Sequence, residues 1–114
     1  MQTILLLEDD EGIREVIHLI LEEENFQVIS FSNVNNFSNR DKSINADLFL
    51  LDVMLPDGSG IDVCNQISSV HSTPILIMSA HATLEDINKN CEASDLIQKP
   101  FDIDCFISQI KNHI

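Results

Sequence analysis

The sequence predicts an α/β fold in which a five-stranded parallel sheet is covered by helices on both faces. Short, continuous apolar runs recur along the chain, and each has the length of a strand buried on both faces. Between these runs, apolar residues recur at intervals of three and four, which is typical of amphipathic helices. Such alternation favours parallel strands joined by right-handed helical crossovers.

The first half of the chain contains three predicted strands, at residues 4–7, 27–31 and 48–51. A helix is predicted after the first strand, with one apolar face formed by Ile13, Val16, Ile17, Ile20 and Leu21. Residues 32–43 are rich in Asn and Ser, which compete with helical backbone for hydrogen bonds, so the helical signal there is weak. Residues 56–58 (Pro-Asp-Gly) predict a turn after the third strand, because Pro fixes φ and Gly tolerates positive φ.

The second half repeats the pattern twice. The third helix is predicted from the face formed by Ile61, Cys64, Ile67 and Val70. Residues 75–78 and 96–97 are the fourth and fifth strands, with a weaker helix between them at about residues 83–90. The last helix is predicted to begin after Asp102 as its N-cap, with an apolar face formed by Ile103, Phe106, Ile107, Ile110 and Ile114.

Composition bounds the size and class of the protein. The chain has 114 residues, 44% of them hydrophobic, which suits one domain spanning residues 1–114. Its net charge of −13 would repel a phosphate backbone, so we expect no direct contact with nucleic acid. No apolar run reaches the roughly 20 residues of a membrane span and no signal region is evident, so we expect a soluble, cytoplasmic protein without membrane contact. We interpret Cys64, Cys91 and Cys105 as small buried hydrophobic residues in a reducing compartment.

Five βα units favour a doubly wound, flavodoxin-like arrangement with strand order 2-1-3-4-5. Ligands bind such sheets at the carboxyl ends of the strands, near the switch point between strands 1 and 3. The residues at those ends are Glu8 and Asp9, then Asp52, Ser79 and Lys99. We therefore expect these five side chains to face one crevice.

Three carboxylates in one crevice repel one another, and a divalent cation with oxygen ligands such as Mg²⁺ relieves that repulsion. Asp10 and Glu11 are interpreted instead as an acidic helix start. Lys99, held before Pro100, would supply a fixed counter-charge able to bind a phosphoryl oxygen. Catalysis by Ser79 with His81 as its base is disfavoured, because no acid is placed to orient the imidazole.

These residues carry a resemblance. Glu8-Asp9, Asp52 with the following Met54-Leu55-Pro56-Asp57-Gly58, Ser79-Ala80 and Lys99-Pro100-Phe101 together resemble the receiver domain of bacterial two-component response regulators. The resemblance covers essentially the whole chain in order and spacing. It implies that Asp52 is a phosphoacceptor, which takes a phosphoryl group from a phosphohistidine of a sensor histidine kinase.

The resemblance also implies roles for the residues around Asp52. Asp9 and Asp52 would hold Mg²⁺ with the backbone carbonyl of Met54, and Glu8 would act through a metal-bound water. Lys99 would pair with the phosphoryl group, and Ser79 would move to hydrogen-bond it. The Lys99-Pro100 peptide bond is expected to be cis. Such a protein catalyses its own phosphorylation and dephosphorylation and is not an enzyme acting on a separate substrate.

Other positions qualify the resemblance. Leu96 stands where the family usually has a switching aromatic residue. Met54 and His81 occupy the two positions that flank the acyl phosphate and tune access of water, and the apolar Met54 predicts slow hydrolysis.

The resemblance also implies a homodimer through the fourth helix, the fifth strand and the last helix. We expect it to lack the usual salt bridges, since Asp95 is retained but Cys105 and Gln109 are uncharged.

Alternative functions differ in the residues they need. An aspartate-based phosphatase needs an acid two residues after the nucleophile, where this chain has Met54, and a phosphate-cradling cofactor site is disfavoured by the acids after the first strand. A degenerate receiver that acts as an unphosphorylated interaction module stays open, encouraged by Leu96. For a functional receiver, we expect control of a DNA-binding effector domain that is absent from this chain, and hence regulation of transcription.

Overall fold

A central sheet of five parallel strands is the core of this computed structural model, which describes residues 1–70, 72–81, 85, 87 and 91–114. The elements in chain order are β1 (Thr3–Leu7), α1 (Glu11–Glu23), β2 (Gln27–Phe31), α2 (Val34–Ser38), β3 (Leu48–Asp52), β4 (Met54–Leu55), β5 (Gly58–Ser59), α3 (Gly60–Ser68), β6 (Ile75–Ser79), β7 (Asp95–Gln98) and α4 (Ile103–Asn112). The strand order is β2-β1-β3-β6-β7, which confirms the predicted doubly wound topology.

The register of the sheet aligns the carboxyl ends of its strands. Leu7 lies beside Leu51 across β1 and β3, and Leu51 lies beside Ile77 across β3 and β6. Ser79 in turn lies beside Gln98 across β6 and β7. The residues that follow these strands therefore emerge along one edge of the sheet.

Both faces of the sheet are buried, which explains why the strands are continuous apolar runs. Alternate strand side chains point to opposite faces. One face carries Leu6, Leu50 and Met78 against the buried sides of α1 and α4, including Ile17 and Phe106. The other face packs against α2 and α3 through Leu5, Leu7, Phe49, Leu51, Ile77, Phe37, Val63 and Ile67.

The helices begin where side-chain oxygens cap them. Asp10 accepts a hydrogen bond from the backbone N of Ile13 at 2.9 Å, so its role as part of an acidic helix start is confirmed. Asp102 accepts one from the N of Cys105 at 3.0 Å, as predicted for the last helix. No helix among the described residues is long and apolar enough to span a membrane.

Several predicted helical positions were wrong. Val16 on α1 is 50% exposed. Val70 is 73% exposed because it lies beyond the end of α3. Val63, which the predicted face omitted, is buried in its place. Ile103 is 51% exposed, since it is the first residue of α4 and precedes the part of the helix that reaches the core.

Other local expectations also need correction. The weak helical signal at residues 32–43 yields only the five residues of α2. The predicted helix at residues 83–90 lies outside the described residues, apart from positions 85 and 87. The turn predicted at Pro56-Asp57-Gly58 is observed, because Pro56 and Asp57 connect β4 to β5. Gly58 is the first residue of β5 and does not take a positive φ. Cys64 and Cys91 are buried as predicted, whereas Cys105 is exposed on α4.

Candidate functional site

A cleft of about 550 Å³ opens at the carboxyl edge of the sheet. Its walls include all five residues that the sequence placed there, namely Glu8, Asp9, Asp52, Ser79 and Lys99, together with Met54 and His81. Asp52 and Ser79 are the last residues of β3 and β6. Glu8 and Asp9 directly follow β1, and Lys99 directly follows β7. The predicted convergence of strand ends is therefore observed.

Three carboxylates meet in this cleft. One carboxylate oxygen from each of Glu8, Asp9 and Asp52 lies within 4.8 Å of the others. Glu8 is completely buried and Asp52 is 7% exposed, whereas Asp9 is exposed at the mouth. The cluster therefore has a buried base and an open side through which a ligand could enter.

Lys99 supplies the positive charge of the cleft. Its Nζ lies 2.6 Å from Oε1 of Glu8 and 3.4 Å from Oδ1 of Asp52. Its backbone N donates to the carbonyl of Ser79 at 2.9 Å, and the bond to Pro100 is cis, as expected. Glu8 and Lys99 are 91 residues apart in sequence, so the finished sheet is what brings this ion pair together.

Burial and charge act against each other at this ion pair. Burial raises the pKa of Glu8, and contact with the Asp52 carboxylate raises it further, although Lys99 opposes both effects. Burial acts to lower the pKa of Lys99, but the hydrogen bond and charge of Glu8, followed by the charge of Asp52, outweigh it and raise that pKa. Lys99 is therefore firmly charged, while the carboxylate cluster holds more negative charge than this one cation offsets.

Ser79 is the last residue of β6, the strand that lies between β3 and β7, and it lines the cleft. It is 8% exposed, and its Oγ accepts a hydrogen bond from the backbone N of His81 at 3.2 Å. This described contact uses the backbone of His81 and not its imidazole. The geometry thus gives no support to Ser79 and His81 as a nucleophile and base.

Two supporting residues were missed by sequence reasoning. Arg14 of α1 donates from Nη1 to the carbonyls of Glu8 at 2.9 Å and Asp9 at 3.3 Å. Gly60 begins α3 so close to β3 that an added Cβ would lie 2.0 Å from the carbonyl oxygen of Asp52. Neither contact has a local sequence signal, because each depends on how a helix packs against the strand ends.

Of the predicted tuning and switch positions, Met54 and His81 line the cleft, whereas Leu96 does not. Met54 is 75% exposed and lines the cleft from the β4–β5 hairpin, and His81 is exposed beside Ser79. Leu96 is partly buried in β7 and packs against the core cluster on the α2 and α3 side of the sheet. Leu96 therefore occupies an inward position on β7, with no aromatic ring to rotate.

Asp95, the retained acid of the predicted dimer surface, has partners within the chain. Nε2 of His113 lies 3.0 Å from its Oδ2, and Nε2 of Gln109 donates to the same oxygen at 3.4 Å. Burial alone would raise the pKa of Asp95, but the hydrogen bonds from His113, the backbone N of Leu96 and Gln109 lower it. A homodimer through this surface stays a prediction.

Comparison with known proteins agrees with the site. Residues 4–111 match the family described as response regulator receiver domain. Response regulator ArlR of Staphylococcus saprophyticus is 35% identical over 113 residues, which cover 97% of this chain and 51% of ArlR. The chain spans about half the length of the curated relatives it matches.

Solved structures of receiver domains and response regulators share the fold of this chain. The non-phosphorylated HemR receiver domain of Leptospira biflexa has a TM-score of 0.89 at 30% identity, covering 98% of this chain and 93% of that one. The response regulator TrrA of Thermotoga maritima, solved in complex with Mg²⁺-BeF, has a TM-score of 0.88 at 26% identity and covers both chains completely. The family match and the identity to ArlR, together with the fold and the cleft, show that the chain belongs to the response regulator receiver domain family.

Proposed function

We propose that residues 1–114 form one receiver domain in which Asp52 accepts a phosphoryl group from the phosphohistidine of a sensor histidine kinase. The observation that carries this proposal is the position of Asp52, within 3.4 Å of Lys99 and inside the carboxylate cluster of an open cleft. One oxygen of Asp52 would form the bond to phosphorus as the bond from phosphorus to the histidine nitrogen breaks. The product is an aspartyl phosphate.

The donor set fits a hard divalent cation. Three carboxylate oxygens within 4.8 Å of one another are the ligand type that Mg²⁺ prefers, and the exposed side of Asp9 leaves room for waters. Asp9 and Asp52 would bind Mg²⁺ directly, with the backbone carbonyl of Met54 as a third ligand and Glu8 acting through water. When bound, Mg²⁺ would neutralise charge that spreads over the phosphoryl oxygens during transfer.

The remaining residues act on the phosphoryl group and its surroundings. Lys99 would bind one phosphoryl oxygen, exchanging part of its contact with Asp52 for a charge-assisted hydrogen bond. Ser79 would donate its hydroxyl to another phosphoryl oxygen and draw the following segment toward the site. Met54 and His81, at the rim, would control how readily water reaches the acyl phosphate, which the domain hydrolyses itself.

A simple labelling experiment tests the proposal. The protein is incubated with acetyl phosphate and Mg²⁺ and its intact mass is measured. We expect a gain of one phosphoryl group that is absent in Asp52→Ala and retained in Asp62→Ala, a matched control that removes an exposed aspartate of α3. A second arm uses a phosphorylated sensor histidine kinase as the donor.

The same experiment separates this function from its alternative. A wild-type protein that gains no phosphoryl group from either donor would act as an unphosphorylated interaction module instead. The phosphoacceptor function is supported over that alternative because all five predicted residues line the cleft.

We further propose that phosphorylation alters the surface assigned to the fourth predicted helix, β7 and α4, and thereby controls a DNA-binding effector domain in the cytoplasm. The length of the curated relatives, about twice that of this chain, supports a partner domain in the same polypeptide. A gel-shift assay of such a full-length regulator should show DNA binding that rises on phosphorylation. Equal binding by its Asp52→Ala variant in the presence of the donor would contradict the proposal.

A further inference from the structure

The turn of the β4–β5 hairpin is tied to a distant helix by one carboxylate. Asp57 lies in this turn, three residues after Met54. Its Oδ1 accepts from the backbone N of Val34 at 2.8 Å, and its Oδ2 accepts from the backbone N of Asn35 at 2.9 Å. Both amides belong to the first turn of α2 and precede Asp57 by more than twenty residues in sequence.

These two contacts complete the start of α2. The first amides of a helix have no partner within the helix and need side-chain acceptors. Asn33, the N-cap, accepts from the backbone N of Asn36 at 2.7 Å, so a local residue satisfies one amide. Asp57 satisfies the two others from a remote loop, and these hydrogen bonds lower its pKa, which keeps the carboxylate ionised.

The hairpin and α2 also touch sterically. A Cβ at Gly58 would lie 3.1 Å from Cγ2 of Val34, so the absence of a side chain allows the hairpin to approach the helix. Within the hairpin, Met54 pairs with Ser59 and Leu55 pairs with Gly58. Gly58 follows Asp57 directly and pairs with Leu55, the neighbour of Met54. The contact of Asp57 with α2 therefore also restrains the backbone of Met54 at the mouth of the cleft.

We propose that Asp57 is a positioning residue for the metal site, because it holds the β4–β5 hairpin against α2 and so fixes the backbone of Met54 beside Asp52. The inference rests on the proposed function, in which the carbonyl of Met54 is a ligand of Mg²⁺. Asp57 itself binds neither the metal nor the phosphoryl group. Its partners are the two amides of α2.

The test compares two caps of the same helix. Asp57→Ala removes the remote cap, and Asn33→Ala removes the local cap without touching the hairpin. Mg²⁺ is titrated into each unphosphorylated protein, and binding is followed by the amide NMR signals of the cleft residues. We expect Asp57→Ala to weaken Mg²⁺ binding about tenfold, as loss of a residue that orients a metal ligand commonly does. We expect Asn33→Ala to change it by less than about twofold.

Asp57→Asn provides the conservative variant, since its amide oxygen can still accept from one of the two N–H groups. We expect it to recover most of the Mg²⁺ affinity. If the alanine variant does not fold, Gly58→Ala replaces it, because the added Cβ would lie 3.1 Å from Cγ2 of Val34 and push the hairpin away from α2. We expect Gly58→Ala to weaken Mg²⁺ binding as well, and unchanged affinity in it would count against the inference. Unchanged affinity in Asp57→Ala, or equal losses in Asp57→Ala and Asn33→Ala, would overturn the inference. A wild-type protein that binds no Mg²⁺ would instead overturn the proposed function, and the inference with it.

Discussion

Gly60 permits a close contact with the end of β3, the strand that carries Asp52, and Gly60→Ala tests that packing directly. An added Cβ would lie 2.0 Å from the carbonyl oxygen of Asp52 and 2.8 Å from its carbonyl carbon. Because such contacts do not occur below 3.0 Å, the first turn of α3 and the end of β3 would have to separate by at least about 1 Å. Both sides of the contact are backbone, so no side-chain rotation can relieve it.

The separation has two measurable costs. It strains or breaks the hydrogen bond from the N of Gly60 to the carbonyl of Val53, now 3.0 Å long. Together with overpacking, this loss should reduce the free energy of unfolding by about 3 kcal/mol. A shift of about 1 Å at Asp52 should also slow labelling by acetyl phosphate about 10²-fold.

Gly12→Ala is the matched control for this prediction. Gly12 lies in α1, and its added Cβ would meet only Oδ1 of Asp10 at 3.4 Å, an ordinary contact. Since Ala is a better helix former than Gly, this variant should be more stable than wild type by about 0.5–1 kcal/mol. Urea denaturation measures both variants. A Gly60→Ala protein within about 0.5 kcal/mol of wild type, labelled at the wild-type rate, would refute the reasoning.

Three further predictions concern single side chains. Lys99→Ala should slow phosphorylation about 10²-fold, because it removes the cation 3.4 Å from Asp52. The variant should still bind Mg²⁺. Labelling by acetyl phosphate at the wild-type rate would contradict this prediction. Met54→Asn should shorten the lifetime of the aspartyl phosphate, because a polar side chain at this exposed rim position can guide water to the acyl phosphate. An unchanged half-life would disprove that role of Met54. The pKa of Asp95 is lowered from 3.8, so its contribution to stability is present above that pH and is lost as the pH falls through its folded value. Asp95→Asn should therefore cost about 1 kcal/mol in urea denaturation at pH 7 and progressively less as the pH falls below 3.8, and a cost that does not fall with pH would contradict the assignment.

The sheet could be predicted because its signal is local and repeated. Each strand is an apolar run, and the alternation with helices leaves few topologies to consider. Once the strand order was chosen, the register carried Glu8, Asp52, Ser79 and Lys99 to one edge with no further information. The site was thus predictable because it consists of strand ends.

What could not be predicted depends on packing between elements. The exposure of Val70 is set by where α3 ends, which periodicity alone does not fix. The need for Gly60 arises from the distance between a helix and a strand, and the role of Asp57 arises from a contact more than twenty residues away. Cys105 was assigned to the core by residue type, but it lies on the solvent side of α4.

The charges in the cleft explain why phosphorylation could act as a switch. Because Leu7 lies beside Leu51, the sheet places the next residues, Glu8 and Asp52, next to each other, and burial makes their repulsion costly. Lys99 and one divalent cation together would balance the three carboxylates of the cluster. An aspartyl phosphate replaces one of those charges with roughly two, so the balance is lost. In the proposed function, the hydroxyl of Ser79 and the ammonium of Lys99 would respond to this change, and each is attached to a segment that continues beyond the cleft.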